Sequence, residues 1–180
     1  QVVGATLGND NIQKSMTAMI VAFLAVVAFM VFYYGGGGLV AILALFLNIL
    51  FIFGALGSMG TVLTLPGIAG IVLTMGMAVD ANVIIYERIR EELALGKSLL
   101  SAIRDGYKHS ASAIIDANVT TLLAAAAMLY AGLGPIKGFA VVLSVGVLSS
   151  LFTAVLVSRM VIEWWIGKGR EITFWIPPTK

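Results

Sequence analysis

The sequence predicts an all-α membrane protein, a bundle of five transmembrane helices with a cytoplasmic amphipathic helix. Three observations predict it. Hydrophobic residues make up 60% of the 180 positions and charged residues only 11%, more apolar than a water-soluble globule of this size tolerates. Five stretches, 15–34, 39–59, 66–86, 112–132 and 138–162, reach the roughly 20 apolar residues that cross a hydrocarbon core about 30 Å thick. Each is long and continuous, and in lipid such a run pairs all its backbone groups only as a helix. The net charge of +2 is too small to indicate nucleic acid, and without cysteine the chain forms no disulfide.

The elements follow in order. Residues 1–14 read as the end of an external region and a linker into the bundle, which occupies 15–165. Gly35–Gly38 is a four-glycine turn between spans one and two, glycine reaching positive φ at little cost. "TVLTLP" and "GLGPIK" are short turns on the other side, too brief to hold a domain. The long connection is 87–111, "ERIREELALGKSLLSAIRDGYKHSA", where Ile89, Leu93, Leu99, Leu100, Ile103 and Tyr107 recur at helical spacing among charges. It reads as an amphipathic helix along the cytoplasmic face, either a surface-lying connector or a docking surface for another protein. Residues 166–180 read as a cytoplasmic tail or linker.

Orientation follows from the cations, which concentrate in cytoplasmic loops near the ends of spanning helices. Arg88, Arg90, Lys97, Arg104 and Lys108 follow the third span, and Arg159, Lys168, Arg170 and Lys180 end the fifth; only Lys14 and Lys137 fall on the opposite side. The expected topology places the C-terminus in the cytoplasm and the start of the chain outside, carried across by something upstream.

Within this frame "GMAVDANVII" sets Asp80 about six residues inside the cytoplasmic end of span three, roughly 9 Å deep at 1.5 Å per residue. A bare carboxylate there costs about 2.5–3.5 kcal/mol on insertion scales. "DANV" recurs at 116–119, placing Asp116 at similar depth on the antiparallel fourth span, where both carboxylates are expected to face one interior space. Spans one to four hold no Lys or Arg to neutralise them. Burial and a nearby like charge raise a carboxylate's pKa toward neutrality, so the pair is a candidate proton relay. The alternative is that each Asp bonds a hydroxyl or amide across a helix interface, Asp116 also being a candidate helix N-terminal residue. Asn82, Asn118 and Thr120 are the supporting polar groups, amides commonly joining helices in membranes. Gly67, Gly70, Gly76, Ala78 and Ala124–Ala127 are expected to let backbones approach closely.

The run "GMAVDANVIIYERIREEL", then "GKS", "AI", "GY" and "SAIIDANVTTLLAAAAMLYAGLGPIKGFAVVLSVGVLSSLFTAVLVSR", closely resembles the C-terminal membrane half of the SecD family. These are accessory subunits of the bacterial Sec protein-export machinery within the resistance-nodulation-division superfamily. "VGATLGNDNIQKS" is similar to the strand and linker by which that family's periplasmic region returns to its second helix. The resemblance implies a six-helix half of which this chain supplies helices two to six, in the bacterial cytoplasmic membrane. It implies a fourth-helix aspartate, Asp80, in proton conduction that drives polypeptide export, and an aspartate opening the fifth helix, Asp116. It also implies a SecF half, separate or fused, as partner, together with the SecYEG channel, YajC and the exported polypeptide. A proton-driven exporter of small molecules or lipids from the same superfamily is the alternative, and a scaffold a weaker third.

The remaining residues read plainly. His109 has no second ligand at metal spacing. Trp164 and Trp165 fit an interfacial aromatic anchor. Arg159 either snorkels to the headgroups or reaches a carboxylate in the bundle as its ion-pair partner. With no nucleotide-binding loop or nucleophile constellation, neither an enzyme nor a cofactor is expected.

Overall fold

The computed structural model describes residues 2–60, 64–169, 172 and 174, with residues 2–10 as backbone alone. The helices are α1 (Val2–Tyr34), α2 (Gly36–Ser58), α3 (Leu65–Ala94), α4 (Leu99–Ala131), α5 (Pro135–Leu151) and α6 (Ser158–Gly167), with a π-helical segment, Phe152–Val157, joining the last two. Five helical runs are long and apolar enough to cross a membrane, the fifth being α5, the π segment and α6 taken together. No strand occurs among the described residues.

The local chemistry sets the boundaries. Of the four glycines, Gly35 alone makes the turn, at φ 54°; α2 has begun by Gly36. Thr64 caps α3, its hydroxyl accepting the Gly67 N–H at 3.2 Å with Pro66 in the first turn, where a missing N–H costs nothing. The rest of the expected "TVLTLP" turn, residues 61–63, lies outside the described residues. α3 is the centre of the bundle, packing on α1, α2, α4 and α5. Its contact with α5 is close: a Cβ at Gly70 would stand 3.1 Å from Val142, and one at Gly146 would overlap Thr74. The small-residue expectation thus holds for Gly70, and Gly67, Ala78 and Ala125 are also buried. Gly76, Ala124, Ala126 and Ala127 instead face outward.

Three expectations change. Residues 87–111 do not form one helix lying along a surface. α3 runs on to Ala94, the chain turns through Leu95–Ser98 with Gly96 at φ 81°, and α4 starts at Leu99 and enters the bundle unbroken. The segment is helical and amphipathic, but its apolar face is spent between the two helices: Ile89, Ile103 and Tyr107 are buried against each other's neighbourhood. Each fully buried large aliphatic side chain contributes about 1.5–3 kcal/mol where water is the competing solvent. Asp116 consequently sits in the middle of α4, not at a helix start. The stretch similar to a strand and linker is helical from Val2 onward, a conformation in which the backbone pairs with itself and needs no neighbouring strand.

Two residues beyond α6 pack back on the bundle. Ile172 and Phe174 are buried, Phe174 packing its ring 5.4 Å from that of Tyr86. The other residues beyond Gly169, with the cations Arg170 and Lys180, lie outside the described residues.

Candidate functional site: a carboxylate face on the bundle

Exposure along α3 follows one stripe, Leu65, Ala69, Leu73, Gly76 and Asp80, the i, i+4 and i+3 spacing of a single helix face. The opposite side carries Ile71, Thr74, Met75, Ala78 and Asn82 into the core. Asp80 therefore points out of the bundle. Asn82, two residues and about 200° further round at 3.6 residues per turn, is 1% exposed. Asp116 is exposed on α4, the helix packed beside α3. Both aspartates stand on the outer surface, contrary to the expectation that they share an interior space. A two-residue offset decides it, because the inward face was already filled by Ala78 and Asn82.

The supporting polar groups do not reach the carboxylates. The Thr120 hydroxyl donates to the backbone carbonyl of Asp116 at 2.9 Å. The Asn118 amide donates to the Ile114 carbonyl at 2.7 Å and that of Asn82 to the Ala78 carbonyl at 3.2 Å. Each bonds its own helix one turn back, a habit of short polar side chains in helices. Arg159, for which pairing with a bundle carboxylate was one of two readings, donates from Nε to Glu163 Oε1 at 2.8 Å and lies 5.9 Å from the Tyr107 ring centroid. Among the described residues no hydrogen bond or ion pair reaches either aspartate side chain. In hydrocarbon such a group demands a partner.

At the charged end of the bundle the carboxylates Glu87, Glu92 and Asp105 are paired. Glu92, 2% exposed, is contacted by Arg88 at 2.9 Å, Lys97 at 2.6 Å and His109 Nδ1 at 3.4 Å. Lys97 also reaches Asp105 at 2.7 Å, so the turn between α3 and α4 is tied to both helices. Donating to the Asp105 and then the Glu92 carboxylate holds the Lys97 ammonium above the ordinary lysine range. Glu87 accepts from Tyr34 at 2.9 Å and from Arg90 at 2.7 Å, joining α1 to α3.

Sequence reasoning missed two polar bridges inside the bundle. Asn48 of α2 is fully buried and accepts a hydrogen bond from Ser149 of α5. Tyr107 and Ser158 pair at 2.7 Å. The lone amide in "LALFLNILFIF" was a legible signal, of the same kind as Asn82; which hydroxyl it would meet was not.

Compared with known proteins, residues 1–168 match the family model described as protein export membrane protein SecD/SecF, C-terminal. The chain belongs to the SecD/SecF family. It is 50% identical over 170 residues to the protein translocase subunit SecD of Syntrophobacter fumaroxidans, covering 94% of this chain and 32% of that protein. It is 52% identical over 164 residues to the SecD of Rhodothermus marinus, covering 91% of this chain and 26% of that one. Its fold matches the crystal structure of SecDF, a translocon-associated membrane protein from Thermus thermophilus, with a TM-score of 0.89 and 44% identity over 97% of this chain and 24% of that one. The chain thus spans about a third or less of the length of these SecD relatives.

Proposed function

We propose that this chain is the membrane-embedded part of a SecD-type accessory subunit of the bacterial protein translocase, with Asp80 and Asp116 carrying protons whose flow promotes polypeptide export. The observation that carries this reading is the outward placement of both aspartates within spanning helices, with no partner among the described residues. A carboxylate turned to lipid costs about 2.5–3.5 kcal/mol on insertion scales, so this face is to be covered by another polar surface, and a homologous SecF half, separate or fused, has the matching architecture. Gly76, one turn from Asp80, has open space around it, and Ala113, Ala117, Ala124 and Ala127 are exposed on α4; small residues allow a second bundle to pack against the face with backbones close. Proton carriage then takes place between the two halves, with charged groups from the partner completing the path.

In this reading the charged end of the bundle is cytoplasmic, and the start of the chain follows a periplasmic region. The SecYEG channel and YajC are partners, and no covalent chemistry is involved. The relatives' description as translocase subunits favours this over a small-molecule exporter. The test is complementation in cells lacking the native subunit: full-length protein with Asp80→Asn inserts and associates normally but does not restore proton-driven export. Export at the unsubstituted level would overturn the reading.

A further inference from the structure

The fifth span carries a break in its α register, the π-helical turn Phe152–Val157. There the Ser158 N–H passes over the carbonyl four residues back and bonds that of Thr153, five back. The carbonyl it skips, that of Ala154, is taken by the Ser158 hydroxyl. A hydroxyl has one proton to give, so the same oxygen accepts the Tyr107 O–H from α4, at 2.7 Å. Tyr107, Ser158 and Ala154 thus form a hydrogen-bonded chain that satisfies the backbone carbonyl the π turn leaves over. Ala154 and Ser158 are fully buried and Tyr107 nearly so. Among the described residues no other side-chain hydrogen bond ties residues 152–158 to a neighbouring helix.

Such a turn is an α-helix with one residue inserted, and these turns occur mostly at functional sites. Returning it to α passes the Ser158 N–H back to the Ala154 carbonyl and rotates everything downstream by about 100°, the step of one residue. Val157 then takes the place of Ser158, and Val161 that of Ile162. Ser158 and Ile162 are the buried residues of α6, and Val157 and Val161 are half-buried beside them, so either pair offers the core a compatible face. The Arg159–Glu163 ion pair, four residues apart on α6, travels with the helix and survives in both registers. α5 does not have to move, because Gly70 against Val142 and Gly146 against Thr74 hold it on α3. The constant spacing of those two contacts sets the π segment, which packs on α3, at the level of residues 80–85.

We propose that this turn is a two-state register switch latched by Tyr107. With the Tyr107 hydroxyl bonded to Ser158 the span keeps its π turn; with that bond open the turn relaxes to α, and α6 rotates against α2 while α5 stays on α3. The switch belongs to the span itself and stands whether or not Asp80 carries protons.

The experiment places a single cysteine at Ile162 in full-length protein otherwise free of cysteine, reconstituted with its partner subunit in nanodiscs, and follows alkylation by a maleimide. In the π register this thiol is buried; in the α register it stands where Glu163 is now, 48% exposed. Tyr107→Phe, which removes the hydroxyl and keeps the ring, should raise the alkylation rate about fivefold, the shift in a two-state equilibrium that losing one hydrogen bond of ordinary strength makes. A cysteine at Ile103, one turn from Tyr107 and buried on α4, should stay as slow as before. Deleting Leu156 makes the span continuous α with Ser158 still opposite Tyr107, and in that background Tyr107→Phe should no longer raise the rate at position 162. A rate at position 162 unmoved by Tyr107→Phe overturns the proposal. An equal rise at position 103, or the same rise after the deletion, overturns it too, since either would mean loosened packing without a change of register.

Discussion

Glu92 and Asp80 share one helix, twelve residues and roughly 18 Å apart at 1.5 Å per residue, and the molecule treats them in opposite ways. Glu92 is turned inward, shielded from solvent, and held by Arg88, Lys97 and His109. Asp80 is turned outward, within the third apolar span, with no partner among the described residues. Glu92 has three cationic or imidazole neighbours where water would have tolerated their absence, and Asp80 has none among the described residues. The first arrangement is architecture, a clasp that fixes the α3–α4 turn; the second makes no contact that holds the described bundle together, and the proposed proton carriage would give it a use. A charge that the fold does not use for itself is the stronger pointer to function.

The largest test of this contrast is Asp80→Asn, which keeps shape and hydrogen bonding but does not titrate. Proton-driven export in vesicles should fall on the order of 100-fold, the scale at which proton-transferring side chains act, while the amount and thermal stability of the inserted protein stay unchanged. A fall in stability of the same variant would make Asp80 a structural group like Glu92 and erase the distinction.

Asp116→Asn comes next. The carboxylate does not cap α4, which begins at Leu99, and among the described residues it bridges to no hydroxyl. A purely structural role therefore predicts no effect, whereas a shared proton predicts a partial to severe loss of export. Measured in the same vesicles, full activity would confine the relay to Asp80.

Glu92→Gln should do the converse, lowering the unfolding temperature in detergent by a few degrees while export per folded molecule is retained. The Lys97 pKa is raised in the fold, so the stability from that ammonium is fully present below the ordinary lysine range and is lost only as pH climbs through it. The difference between the parent and Glu92→Gln should accordingly persist through neutral pH. Its disappearance near pH 7 would mean that the Lys97 ammonium is not what holds the clasp.

The smallest effect is expected at Ser149→Ala. It removes the donor to buried Asn48 and should cost about 0.6 kcal/mol, the mean for an interhelical hydrogen bond in a membrane protein. A cost several times larger, read by equilibrium unfolding, would mean that the Asn48–Ser149 bridge rather than apolar packing sets the α2–α5 crossing.

Much of this was legible before any coordinates. Five spans could be counted because crossing hydrocarbon requires length and continuous apolarity, properties of the chain alone. The repeated "DANV" exposed both aspartates because a carboxylate in such a run is conspicuous whatever surrounds it. The charged connection 87–111 was recognised as helical from periodicity, but periodicity does not say what an apolar face packs against. Ile89 and Ile103 bury each other's helices instead of meeting a surface, so one expected helix became the ends of two.

What the sequence by itself determined is therefore the solvent, the number and approximate bounds of the helices, and the presence of costly polar groups at membrane depth. Only the tertiary structure decided where those groups point. Asp80 faces out and Asn82 faces in because helix rotation is fixed by α3 packing on four neighbours at once, with Gly70 and Gly146 setting how closely α5 approaches. Glu92 rather than Glu91 became the buried anchor for the same reason: adjacent residues lie about 100° apart on a helix. Which of them meets Lys97 depends on a contact between segments whose facing the local sequence does not specify.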